Sequence, residues 1–164
     1  MHLIGIENYK KISGKYKIGE KNGKGREFII NTNTLIFEGE YINGRRNGKG
    51  KEYYKNGILK FEGEYINERR NGKGKEYYDN GKLKFEGEYK NGERERNGKG
   101  KEYYDNGILK YEGEFLNGIK NGKLKEYYDN GKLKFEGEYK DGKRKGYGIE
   151  YDYNTGKIIH EKEY

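Results

Sequence analysis

The sequence predicts an all-β protein: an elongated single-layer antiparallel sheet of tandem β-hairpins. Three observations carry that prediction. The phrase Phe-Glu-Gly-Glu-Tyr begins at Phe37, Phe61, Phe85 and Phe135, and a near-copy, Tyr-Glu-Gly-Glu-Phe, begins at Tyr111. The start-to-start spacings are 24, 24, 26 and 24 residues, and a period held over that many copies marks a repeat array, not a disordered chain. Around each copy, apolar and charged residues alternate with the two-residue period of a half-buried strand. Glycine, at 28 of 164 residues, recurs too often for a helix.

Composition explains why the fold needs a repeat. Lys and Arg total 36 against 28 Asp and Glu, a net charge of +8, and 39% of residues are charged. Ile, Leu and Phe together are only 29 of 164 residues, below the roughly 20% at which charged chains ordinarily stay unfolded. A globule with a thick aliphatic core is therefore excluded, and 19 Tyr with 6 Phe must supply the buried surface. With no Cys there is no disulfide framework, thiolate nucleophile or zinc ribbon. No apolar run approaches the roughly 18–20 residues of a membrane span, and Met1–Ile12 has no signal-peptide core. The expected location is cytoplasmic, with peripheral membrane contact open.

The elements follow in order. Residues 1–11 form an N-terminal cap or partial repeat. Six repeats follow, at 12–36, 37–60, 61–84, 85–110, 111–134 and 135–159, and 160–164 is a capping half-repeat. In Lys82–Tyr89, the residues Leu83, Phe85, Gly87 and Tyr89 share one face, and Lys82, Lys84, Glu86 and Glu88 the other. Asn80-Gly81 predicts a two-residue type I′ turn, repeated at Asn56-Gly57, Asn106-Gly107 and Asn130-Gly131. That turn sets Tyr78 opposite Leu83, Gly74 opposite Gly87 and Gly72 opposite Tyr89. It also sets Lys75 opposite Glu86 and Lys73 opposite Glu88, and such opposite charges support the register. Strands then continue through a longer turn, such as Asn43–Asn47. About twelve strands at roughly 4.8 Å each give a sheet roughly 55–60 Å long.

The last strand aligns with Lys82–Tyr89 and places Ile158, His160, Lys162 and Tyr164 inward. A Lys where internal copies carry Gly blunts an exposed edge. This end is expected to be a cap, and the protein monomeric through it.

The unit written as Phe61-Glu-Gly-Glu-Tyr65, Asn71-Gly-Lys-Gly74, Tyr77-Tyr78 and Asn80-Gly81 resembles the MORN repeat, and more closely its variant form common in bacterial repeat proteins. The likeness spans about 12–159. Most MORN repeats carry His before the Gly-x-Gly, whereas this chain has Asn22, Asn47, Asn71, Asn97, Asn121 and Lys145. The Trp often found at the fifth position is Tyr or Phe. A ligand tied to that His or Trp is therefore not implied. The resemblance implies a hairpin array acting as a non-enzymatic scaffold for protein–protein interaction. Its alternatives are peripheral binding to anionic phospholipid and an antitoxin or immunity-type partner role.

Two surfaces are candidates for binding. The aromatic face, with Tyr41, Phe61, Tyr65, Phe85, Tyr89, Tyr111, Phe115, Phe135 and Tyr139, is either the substitute for a core or a shallow groove for a partner. Surplus cations collect in the longer turns: Arg45, Arg46, Arg69, Arg70, Arg94, Arg96, Lys120, Lys143, Arg144 and Lys145. Such a line can meet anionic lipid or an acidic protein surface, or it is a solvated edge that keeps the array soluble. A third series, Glu27, Glu52, Glu76, Glu102, Glu126 and Glu150, falls on the aromatic face, must reach solvent or hydrogen bonds there, and is either a structural ladder or a binding stripe. Six equivalent copies give no asymmetry between acid and base, so these are not catalytic pairs. His2 and His160 are the two histidines and Ser13 the only serine. Neither an enzyme nor a cofactor is expected, and no fold signature for nucleic acid is present.

Overall fold

Rings, charges and glycines alternating along each segment favour extended chain, and the segments pair in sequence order. A computed structural model describes residues 9–12, 15–19, 21–92 and 96–164. Within them run β1 (Tyr9–Ile12), β2 (Lys15–Gly19), β3 (Gly23–Ile29), β4 (Leu35–Ile42), β5 (Arg45–Tyr53), β6 (Leu59–Ile66) and β7 (Arg69–Tyr77). The series continues with β8 (Leu83–Gly92), β9 (Arg96–Tyr103), β10 (Leu109–Leu116), β11 (Ile119–Tyr127), β12 (Leu133–Lys140), β13 (Lys143–Tyr151) and β14 (Ile158–Glu163). All fourteen lie in one sheet in strict chain order, and every pair is antiparallel. The count exceeds the expected twelve because the remnants flanking the six repeats each supply a strand, β1 and β14. Among the described residues no helix is long and apolar enough to cross a membrane.

Inside each hairpin the register is the expected one: Gly72 pairs with Tyr89, Lys73 with Glu88, Gly74 with Gly87 and Lys75 with Glu86. The turn that produces it differs. Gly81 N–H donates to the Tyr78 carbonyl, and Tyr78 N–H to the Lys82 carbonyl. This closes a three-residue loop, Asp79-Asn80-Gly81, with Gly81 at φ 82°, a type I turn followed by a left-handed glycine. The Asn80 side chain locks it, its Oδ1 accepting from Lys82 N–H at 2.9 Å. Tyr77, not Tyr78, therefore faces Leu83, and a bulge before the Glu76–Phe85 pair returns the strands to the expected alignment.

The two-residue turns sit at the other end of the hairpins. Ile42 pairs with Arg45 around Asn43 and Gly44, both left-handed at φ 51° and 74°, as a type I′ turn requires. Asn67-Glu68, Asn117-Gly118 and Asp141-Gly142 repeat this geometry. The longer turn expected over Asn43–Asn47 is thus the short one, and Arg45 and Arg46 begin β5.

One face of the sheet carries the core. Phe61 meets Tyr65 edge-on at 5.7 Å and Tyr89 of the following repeat at 5.2 Å. Such T-shaped contacts suit the ring quadrupole, and they run from repeat to repeat. Glycine makes room for them: a Cβ on Gly74 would lie 2.5 Å from Phe61 Cζ. At the far end, Tyr164 packs on Phe135 at 5.4 Å, while His160 and Lys162 face Glu150 and Gly148. Both are exposed.

Candidate binding surfaces

Successive strand residues point to opposite faces, so Arg46 lies on the other side of the sheet from Arg45. Arg46 pairs with Tyr41, and its guanidinium sits 4.0 Å above the Phe37 ring. It donates through Nε and Nη2 to Glu27 at 3.0 and 2.9 Å. Arg70 repeats the arrangement, 4.0 Å above Phe61, with Glu52 at 3.0 and 2.8 Å and Glu76 at 3.2 Å. Arg144 lies 4.0 Å above Phe135 and bonds Glu126 at 3.0 Å and also Glu150. Tyrosine hydroxyls complete each carboxylate: Tyr65 donates to Glu52 at 2.7 Å, and Tyr139 to Glu126 at 2.9 Å.

The charge states follow from these contacts. Burial pushes the Glu52 carboxyl up, but the Arg70 and Tyr65 hydrogen bonds and the Arg70 charge outweigh it and hold it below the usual range. Glu126 is likewise held low against burial, by Lys134, Arg144 and Tyr139. The Tyr65 hydroxyl is pushed well up, first by burial and then by the adjacent Glu52 charge. These carboxylates stay ionised inside a charge-assisted network.

The expected basic line therefore splits. Arg45, Arg69 and Lys143 are exposed beside the two-residue turns, whereas Arg46, Arg70 and Arg144 cover the aromatic face. Lys120 joins them, its amine 3.8 Å above the Tyr111 ring and lowered in basicity chiefly by burial. Lys145 faces Glu138 on the polar side. Arg94, like His2 and Ser13, lies outside the described residues, and Arg96 is described only through its backbone pairing with Tyr89.

The aromatic face is a core and not a groove. Tyr41, Phe61, Tyr65, Phe85, Tyr89, Phe115, Phe135 and Tyr139 are each 5% exposed or less. Tyr111, the ninth candidate, is half-buried. Its repeat carries Leu124 where others have Gly, and Leu124 is itself buried. Leu124 occupies the space a ring would fill, which leaves Tyr111 under Lys120 instead.

The concave surface is on the opposite, polar face. The sheet curls around it to form one trough of about 1340 Å³, running from Lys24 to Gly113. Its lining alternates by strand: Glu38 and Glu40 on β4, Lys49 and Lys51 on β5, Glu62 and Glu64 on β6, Lys73 and Lys75 on β7. Glycines such as Gly50, Gly63 and Gly74 form the floor. Lys–Glu pairs across the strands, such as Lys101–Glu112 at 3.7 Å, are exposed and individually weak. Sequence periodicity marks this face as polar but says nothing of its curvature. The bulges bend and twist the strands, and they leave no trace in an alternation of polar and apolar residues.

The periodicity has a counterpart in known families. The family model described as the MORN repeat variant matches residues 70–91, 96–117 and 120–141, and the MORN repeat model matches 37–58 and 135–157. Comparison with curated proteins finds no match. Each matched segment starts within or just ahead of a strand and spans one hairpin of the array. With both models falling on these hairpins over more than half of its length, the chain belongs to the MORN repeat family.

Proposed function

We propose that this chain is a non-enzymatic scaffold that holds a polypeptide partner in the trough on its polar face. MORN repeats are in general repeat scaffolds for protein or membrane interaction, and the family is generally non-catalytic. The trough carries the reading. It is a concavity of about 1340 Å³, floored by strand backbone and walled by Lys and Glu side chains. Its Lys and Glu rows offer donors and acceptors at a fixed repeat, suited to a partner of alternating charge. The aromatic face supports it from behind as a rigid wall, because its rings and guanidinium groups are already engaged with one another.

The test is selection from a displayed peptide library on the full chain. Peptides recovered on the wild type should bind the variant Lys51→Glu, Lys75→Glu, Lys101→Glu at least about tenfold more weakly. All three lysines are exposed, so the fold should survive. Recovery of no peptide, or equal binding to both proteins, would remove this reading.

A further inference from the structure

The trough has two unlike rims. Beside the three-residue loops, tyrosines stitch the repeats together: Tyr54, Tyr78, Tyr104 and Tyr128 each donate to a backbone carbonyl of the next repeat at 2.8–2.9 Å. Beside the two-residue turns the side chains point outward instead. There Ile42 pairs with Arg45, Ile66 with Arg69, Leu116 with Ile119 and Lys140 with Lys143, on the face that bears the trough. Ile42, Ile66, Leu116 and Ile119 are 52, 49, 51 and 49% exposed. The turn does not demand an apolar residue there, because Lys90 and Lys140 fill the position in other repeats. Between the exposed Arg45 and Arg69 lies a depression of about 410 Å³, completed by Ile66, Asn67 and Asn71.

We infer that this rim docks an acidic amphipathic α-helix, its apolar stripe on Ile42 and Ile66 and a carboxylate seated between Arg45 and Arg69. The inference rests on the scaffold reading in taking the partner to be a polypeptide. Neighbouring repeats lie two strands apart, about 9.6 Å, and residues seven apart on a helix are about 10.5 Å apart. An apolar heptad stripe thus keeps step with Ile42 and Ile66, with acidic residues three or four positions away able to reach the arginines. Two guanidinium groups suit a carboxylate through paired N–H donors. An anionic membrane fits less well. Glu68, whose side chain is 45% exposed, and the exposed Asp141 sit in the same row of turns. A flat anionic surface meets both, whereas a helix can turn other residues toward them.

The same library, restricted to helical peptides and applied to the full chain, tests this. Recovered peptides should carry Leu, Ile or Met at heptad spacing with Asp or Glu beside them. They should bind the variant Arg45→Ser, Ile66→Ser, Arg69→Ser at least about tenfold more weakly, and bind Asp79→Ser, Asp105→Ser on the opposite rim as they bind wild type. Circular dichroism of each variant should match wild type. Peptides that lack the acidic heptad pattern, or that ignore the rim variant while losing affinity for the Lys51, Lys75, Lys101 variant, overturn the rim inference and leave the scaffold reading standing. Rim-dependent binding to vesicles of equimolar phosphatidylserine and phosphatidylcholine, without recovered helices, overturns it in favour of lipid. Failure to recover any peptide removes both readings.

Discussion

Arg70 lies 4.0 Å above the face of Phe61, and the same guanidinium ties together Glu52 on β5 and Glu76 on β7. A ring that would otherwise meet solvent is roofed by a cation, and that cation is neutralised by the strands on either side. In a sheet with no second layer, this takes the place of a facing core.

Replacing Arg70 by Lys should expose how much the roof contributes. Lysine cannot form the fork to Glu52 while reaching Glu76, so the two partly buried carboxylates cannot both keep their cation and are left to their tyrosine hydroxyls. The expected loss is about 2–4 kcal/mol, read from urea denaturation. Arg45→Lys, at an exposed position, should stay within about 0.5 kcal/mol of wild type. Equal effects at both positions would show that the ring and carboxylate contacts of Arg70 add nothing.

Gly74→Ala should destabilise through sterics alone. Gly74 is not among the left-handed residues, yet its new methyl would lie 2.5 Å from Phe61 Cζ and 3.1 Å from Tyr89 Cε2. A loss of about 1–3 kcal/mol is expected, and Phe61→Leu in the same chain should recover part of it. A neutral Gly74→Ala would mean that the ring has room to move.

Stability should form a plateau in pH with a fall on either side. Glu52 and Glu126 are held below the usual carboxylate range. Their contribution is present above the unfolded value, about 4.3, and is lost as pH drops through their lower folded values. Burial and the Glu38 hydrogen bond push Tyr53 up to about 12, and burial with Glu86 does the same for Tyr103, to about 12. That contribution is complete below the ordinary tyrosine value, about 10, and is lost as pH climbs from there toward about 12. Thermal midpoints followed by circular dichroism should show both falls, and Tyr53→Phe should soften the alkaline one. An alkaline fall unchanged by Tyr53→Phe would count against the assignment.

The array should be long in solution. Fourteen strands at about 4.8 Å span about 62 Å, giving a radius of gyration of about 19 Å against about 15 Å for a compact chain of this length. Small-angle scattering from a monodisperse monomer at 15–16 Å would contradict the extended sheet.

The hairpin array was legible in the sequence because the phrase at Phe37, Phe61, Phe85 and Phe135 fixes both period and face. The interior register was legible too, since Lys73–Glu88 and Lys75–Glu86 have to meet. What the letters hide is which Asn-Gly makes which turn. Asn43-Gly44 and Asn80-Gly81 read alike, but Gly81 follows two turn residues, whereas Gly44 is itself one of the two. Assigning the longer turn to Asn43–Asn47 put Arg45 and Arg46 together at an edge. Moving the strand's start to Arg45 sends them to opposite faces, one to a rim and one over a ring. The trough was not legible, because it depends on small bends added strand by strand.

The alternation of Lys and Glu rows along the trough has a consequence for how the surface is sensed at a distance. Charges that change sign with a wavelength of two strands, about 9.6 Å, cancel one another a short way out. The potential of such a grating falls by a factor e in about 1.5 Å, far less than the roughly 8 Å over which physiological salt screens an isolated charge. The trough is thus electrically silent until a partner touches it. Long-range attraction is left to the exposed arginines and lysines of the rim. Recognition by this sheet therefore divides into a far field that gathers partners and a near field that reads them, and added salt should weaken the first more than the second.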